Sequence, residues 1–223
     1  GAISAGGAWY TGTKIEGVLN NAVTNANKEL QTAMAGSNGT ASLELVSLER
    51  HTFTSTAHYR LKGEGEMFGD APVELLFVDH IEHGPLPFSR LVSLKWLPVM
   101  ATSNYELEKS PSTEKWFAAT NGAAPLKGVT NIGYDESTTS TLNLVPFETA
   151  LDEQSSLKFS GLSMDIAASA QAQKVKADGY MDNLKLVTVS EDQAPVQVEL
   201  NGLTLASNLA KSSYGYYTGE NTL

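Results

Sequence analysis

The densest run of metal- and proton-handling side chains is Asp79-His80-Ile81-Glu82-His83-Gly84, and the four histidines fall in two neighbourhoods, His51 with His58 and His80 with His83. Imidazole nitrogens and carboxylate oxygens ligate zinc, so this run carries the atoms for a zinc-dependent hydrolase built on His80, Glu82 and His83. Side chains on a strand alternate, however, which puts His80 and Glu82 on one face and Asp79 and His83 on the other. The ligands cannot converge from this run alone. A turn at Gly84 would have to re-aim His83, or His51 or His58 would have to arrive from a paired strand. In the other reading His83, beside Gly84-Pro85, hydrogen-bonds backbone groups and fixes the loop, so that His83, Gly84 and Pro85 form a structural motif.

Ser112-Thr113-Glu114-Lys115 has the S-x-x-K spacing of serine acylases, in which a lysine on the same helix activates the serine. The S-D-N and K-T-G partners are absent, and Ser112 in the first turn of a helix reads as a capping or solvated residue. The chain has no G-x-S-x-G, no P-loop and no H-E-x-x-H. Gly63, Gly65 and Gly69 lack the dinucleotide spacing and read as a hairpin turn. Without cysteine there is no disulfide, no thiolate zinc site and no Cys nucleophile. Asn38-Gly39-Thr40 fits the N-glycosylation sequon but reads as a helix stop. Trp96, Trp116 and Phe117 read as core rather than as a ligand pocket. No catalytic residue, metal ligand or cofactor is assigned.

These residues sit in a chain of 223 residues, enough for one large domain or two small ones. Fifteen Lys and Arg against 25 Asp and Glu leave a net charge of −10. That sign excludes nucleic acid as a partner, because such affinity comes from cations on phosphates. It equally opposes electrostatic attachment to anionic headgroups.

Ile15, Val18, Leu19, Ala22, Val23, Ala26, Leu30, Ala33 and Met34 recur at helical spacing, which predicts an amphipathic helix from Gly12 to Ala35. Gly36, Asn38 and Gly39 end it. Ahead of it Gly1–Trp9 is apolar and small but shorter than the roughly 20 residues a bilayer needs. Two readings of it stand: the outer end of an anchor, with Trp9 and Tyr10 at the interface, or a frayed terminus.

Beyond Gly39 the chain reads as strands: Leu43–Val46, Phe53–Leu61 and Val73–Ile81, the last two joined through Gly63, Gly65, Gly69, Asp70 and Pro72. Gly84-Pro85-Leu86-Pro87 interrupts the sheet, because proline lacks a donor, and Phe88, Leu91 and Val92 follow as a short helix. Ser110-Pro111 with Glu114 opens another helix, which carries Trp116 and Phe117 and stops at Asn121-Gly122. Strands return after Leu126. Phe159-Ser160-Gly161-Leu162-Ser163-Met164 is echoed 41 residues later by Leu200-Asn201-Gly202-Leu203-Thr204-Leu205, as in a serial antiparallel meander.

Several segments then line up in order: Gly7-Ala8-Trp9-Tyr10-Thr11-Gly12, Glu49-Arg50-His51-Thr52-Phe53-Thr54-Ser55, His83-Gly84-Pro85-Leu86-Pro87, Leu97-Pro98 and Ile132-Gly133-Tyr134. In these the chain resembles the YdgA-like family of bacterial envelope proteins, over essentially its whole length. The resemblance implies an N-terminal inner-membrane anchor, a periplasmic body of poorly known function, and a full length about twice that of this chain. The family's arginine-glycine step is Arg50-His51 here, so the turn at that point is expected to differ. The family is in turn distantly similar to AsmA-like proteins, which implies a curled antiparallel sheet around an apolar groove associated with lipid traffic.

The expected fold is α+β, mainly β, with the N-terminal amphipathic helix packed on a large curved antiparallel sheet. Residues 1–11 would end a membrane anchor, 12–36 form the helix, and 40–223 form a β-rich periplasmic domain that continues past this chain. The leading function is a non-enzymatic binding or scaffold domain on the periplasmic face of the inner membrane, holding a lipid or other apolar ligand along Leu142, Leu144, Leu162, Met164 and Ile166. An ordinary core would use the same residues. The alternatives are a homodimeric interaction module without small ligand, joined through the helix or an open sheet edge, and the zinc-dependent hydrolase.

Overall fold

The computed structural model describes residues 2–85, 87–92, 98–170, 173–211 and 217–223. Trp96, Leu97 and Leu86 lie outside them. The fold is α+β and mainly antiparallel β, as expected from the alternating segments. It divides into two compact units, residues 1–114 with 131–133, and residues 115–130 with 134–223.

The first unit opens with helix α1 (Ala2–Met34), which begins ten residues earlier than the apolar stripe alone predicts. Ala2–Thr11 lacks the stripe but contains no proline, and glycine weakens a helix by only about 1 kcal/mol without breaking it. No helix among the described residues is long and apolar enough to cross a membrane. Gly36, at φ 78°, ends α1, with Ser37 N donating to Met34 O at 3.1 Å.

Strands β1 (Thr40–Arg50), β2 (Thr54–Glu64), β3 (Val73–His83) and β4 (Ala101–Glu108) follow as an antiparallel series in chain order. The β2–β3 connection holds a single 3-10 turn, Glu66–Phe68, and the short helix α2 (Phe88–Val92) follows the Gly84-Pro85 break. α1 lays its stripe over β1 and β3, so Ile15 and Leu19 meet Ala57, Ile81, Met100, Ala101 and Ile132 in the core. Asn27 on α1 grips the outer strand: its Nδ2 donates to Leu43 O at 2.8 Å and its Oδ1 accepts from Leu43 N at 2.7 Å. Both backbone groups of one edge residue are thereby satisfied by a helix side chain.

Helix α3 (Glu114–Ala119), which belongs to the second unit from Lys115 on, starts after a turn over Pro111–Thr113, four residues past the predicted Ser110 cap. Its end matches the prediction. Asn121 (φ 56°) and Gly122 (φ 85°) close a Schellman motif, with Gly122 N donating to Phe117 O at 2.8 Å and Asn121 N to Ala118 O at 3.1 Å.

Eight strands complete the chain: β5 (Leu126–Ile132), β6 (Thr138–Leu144), β7 (Phe147–Ala150), β8 (Ser155–Phe159), β9 (Leu162–Ala168), β10 (Lys174–Ser190), β11 (Gln193–Lys211) and β12 (Tyr217–Thr222). The order is β6-β9-β10-β11-β12, with β8 also pairing β10 and β7 pairing β8. β8 and β9 hold one register against β10, Phe159 opposite Leu184 and Ser163 opposite Tyr180, so they are a single strand creased at Ser160-Gly161. β6 and β7 are likewise creased at Val145-Pro146, and β11 carries Gly202 at the same level. Gly161 (φ 97°) and Gly202 (φ 62°) occupy the left-handed region that favours glycine, which explains the 41-residue echo between them.

Candidate functional site

Two places gather the residues singled out from the sequence. The first is the end of β3. Strand alternation divides the Asp79–His83 run as its spacing predicts: Asp79, Ile81 and His83 are buried, His80 is exposed and Glu82 is intermediate. Glu82 turns to α2, where Ser89 donates to it through its hydroxyl and, at 3.2 Å, through its backbone N–H. His58 instead meets Glu108, Nδ1 to Oε1 at 2.8 Å. Among the described residues no group of three or more such side chains converges as a metal site.

His83 is held on every side. Its Nδ1–H donates to Thr52 O at 3.2 Å, which leaves Nε2 to accept the Ser55 hydroxyl at 2.7 Å. Its own amide donates to Phe53 O at 2.8 Å. α1 crosses so closely above the ring that a Cβ on Gly12 would lie 2.8 Å from His83 Cε1. Gly84 N donates to Met100 O at 2.7 Å and Val99 N to Pro85 O at 2.9 Å, across a cis Gly84–Pro85 bond. Ser55 and His83 have the chemistry of a nucleophile and its base. They are 1% and 4% exposed, so no substrate reaches them, and the pair ties β2 to β3 instead. Ser55 was not singled out from the sequence, since nothing local announces a partner 28 residues away.

On strands β2, β3 and β4 lies a polar triad in which Asp79 and Ser103 are buried and Tyr59 is half-buried. Asp79 Oδ1 accepts from Ser103 Oγ at 2.6 Å, and Oδ2 accepts from Tyr59 OH at 3.5 Å. Burial pushes the Asp79 carboxyl above the usual carboxylate range, and burial followed by the Asp79 charge pushes the Tyr59 phenol far up, so Tyr59 stays a donor. A carboxyl raised in the folded state binds its proton more tightly there than when unfolded. Stability therefore falls as pH rises from the ordinary carboxylate pKa through the raised one, and is constant above it. Asp79→Asn keeps an acceptor for Ser103 without the charge. Its denaturation midpoint is expected to exceed that of the wild type at neutral pH, and the gain to shrink as both are titrated into acid.

Ser112 stands in the turn before α3, not on the helix with Lys115, and its Oγ accepts from Glu74 N at 3.3 Å. The S-x-x-K geometry, which needs both on one helix, is absent. Trp116 is half-buried on α3 and Phe117 is buried.

The second place is the β6-β9-β10-β11 face of the second unit. Leu142 faces Met164, Leu144 faces Leu162 and Ser140 faces Ile166, so the five residues of the expected ligand site share one side of the sheet. Register carries that side on to Ala177 and Gly179 of β10, and Met181 beside Leu203 extends it. Every one of these apolar side chains is half-buried and none is buried. The opposite side shows Thr141, Asp165, Asp178 and Tyr180, all exposed.

At the crease the pattern slips by one residue in every strand. β10 changes from Val175, Ala177 and Met181 to Leu184 and Leu186; β11 changes from Leu203 and Leu205 to Leu200, Val198 and Val196. The β10–β11 register does not change there, so all the strands take the one-residue slip at the same level, where Gly161 and Gly202 adopt positive φ.

The fold so described, a helix seated on antiparallel strands and followed by a creased antiparallel sheet, defines a mainly β protein of the α+β class. Residues 1–223 match the family described as bacterial protein of unknown function (DUF945), and the chain belongs to it. It is 26% identical over 226 residues to Protein YdgA of Escherichia coli (strain K12), an alignment that covers 100% of this chain and 44% of YdgA. It is 24% identical over 149 residues to the uncharacterized protein YihF of the same organism, covering 66% of this chain and 31% of YihF. The chain thus spans less than half the length of these curated relatives. No solved structure matches it.

Proposed function

We propose that the second unit is a non-enzymatic binding domain that holds a lipid or another elongated apolar ligand against Leu142, Leu144, Leu162, Met164 and Ile166. The observation that carries this reading is the contiguous apolar side shared by four strands with no side chain in it buried. Soluble proteins rarely leave such a surface without a use. The residues present offer hydrophobic area and no convergent polar groups, which suits an acyl chain better than a polar metabolite. The setting we infer is the periplasmic face of a bacterial inner membrane, with the apolar helical start at Ala2 as the end of an anchor. Its support is the small-residue composition of that segment and the family resemblance.

Native mass spectrometry of protein purified from a membrane-containing host, with organic extraction of what it releases, tests the ligand. Adducts at lipid masses are expected. Met164→Glu, which puts a charge in the middle of the apolar side, is expected to reduce adduct occupancy at least tenfold, because burying an unpaired charge costs several kcal/mol. The circular dichroism spectrum should not change. A clean apo mass for the wild type, or equal adducts on the variant, overturns the reading.

A further inference from the structure

The strand β11 is 19 residues long, yet β12 covers only its Ala206–Lys211 portion. Among the described residues nothing pairs with the outer edge of Gln193–Leu205. Val196, Val198 and Leu200 on this stretch are 59%, 55% and 44% exposed. Pro195 has no N–H and is tolerated only because this is an edge, but from Val196 onward the edge offers unpaired N–H and C=O groups beside exposed β-branched residues, a template for another strand.

The sequence of the edge says which strand fits. Read in both directions from Val198, Gln197 is matched by Glu199 and Val196 by Leu200. Antiparallel pairing of two copies about a two-fold axis at Val198 sets Val196 against the partner copy's Leu200, Val198 against its own equivalent, and Gln197 against Glu199. An amide then meets each carboxylate, and neither glutamate faces its copy. Gln197 Nε2 already donates to Glu199 Oε2 at 3.1 Å within one chain, so the two side chains lie on the same side and are ready to exchange partners. The pairing also continues the apolar side: Phe147, Phe159, Leu184 and Leu200 lie opposite one another in register, and the row would run on through Val196 of the second copy. We infer that β11 is an isologous interface, through which two copies of this chain join edge to edge about Val198.

The chain has no cysteine, so a single introduced thiol reports only on contact between copies. In the proposed pairing the two Val198 Cα atoms lie about 4.5–5.5 Å apart, inside the span of a disulfide. Val198→Cys is therefore expected to give a reducible covalent dimer under mild oxidation. Gln193→Cys, five residues from the axis on the same edge, is separated from its equivalent by roughly 30 Å and is expected to stay monomeric. Sedimentation velocity of the unmodified chain should show a dimer that dissociates on dilution, and Val198→Lys, which opposes two charges, should shift it to monomer with an unchanged circular dichroism spectrum. A wild-type monomer at every concentration, or cross-linking at position 193 equal to that at 198, overturns the proposal. A dimer that survives Val198→Lys overturns it as well, by placing the contact elsewhere.

Discussion

Gly84→Ala is expected to destabilise the first unit by more than about 3 kcal/mol, enough to unfold a large part of the population at 37 °C. A Cβ on Gly84 would overlap the carbonyl oxygen of Val99 and press on that of Met100, both backbone atoms that cannot rotate away. The Gly84 amide donates to Met100 O at 2.7 Å, and Val99 N is bonded to Pro85 O at 2.9 Å, so the two segments can separate only by losing both bonds. Each buried backbone group left without a partner costs about 1–3 kcal/mol, added to the overlap itself. The damage also travels. His83, the neighbouring residue, holds Thr52 and Ser55 and supports α1 at Gly12. Urea denaturation followed by tryptophan fluorescence and circular dichroism should give a lower midpoint for Gly84→Ala. An unchanged midpoint would show that the turn gives way without loss.

Ile15→Ala is the second large effect, an expected loss of about 2–5 kcal/mol from deleting a side chain that is 0% exposed at the centre of the helix–sheet core. Its neighbours Ala57, Ala101 and Ile81 belong to strands held by ladder hydrogen bonds, so the cavity cannot collapse and the cost should sit in the upper part of that range. Ile15→Val should cost far less, about 0.5–1.5 kcal/mol. Gly17→Ala serves as the control on the same helix: a Cβ there meets nothing within 4 Å, so it should stabilise by up to about 1 kcal/mol through helix propensity alone. If all three variants melt together with the wild type, the helix is not anchored by its Ile15 stripe.

Periodicity of 3.6 and of 2 is a local property, and it is where the sequence was most informative. It located the body of α1, the strands β1 to β3, the glycine and asparagine stops at Gly36 and Asn121-Gly122, and the split of Asp79-His80-Glu82-His83 between two faces. It also put Leu142, Leu144, Leu162, Met164 and Ile166 in alternating positions, which by itself established that each strand has one apolar side. Whether those sides coincide depends on register, and register is set by pairing between residues far apart in the chain, such as Leu142 with Met164. Only the tertiary structure could align them, bring the creases of neighbouring strands to one level, and leave the Gln193–Leu205 edge of β11 without a neighbour among the described residues.

The helix start shows the same division. The apolar stripe begins at Ile15, and periodicity is silent about Ala2–Thr11, where nothing but the absence of a breaker lets the helix extend. Ser55 is the clearest case of what no local signal carries. A serine in a Thr-Ser-Thr strand looks like any other β residue, and it becomes the partner of His83 because β2 and β3 pair antiparallel with Ser55 opposite Ile81. Local residue types determined which elements form. Long-range pairing decided which side chains meet, because hydrogen-bond register and side-chain burial are properties of two strands together and of neither alone.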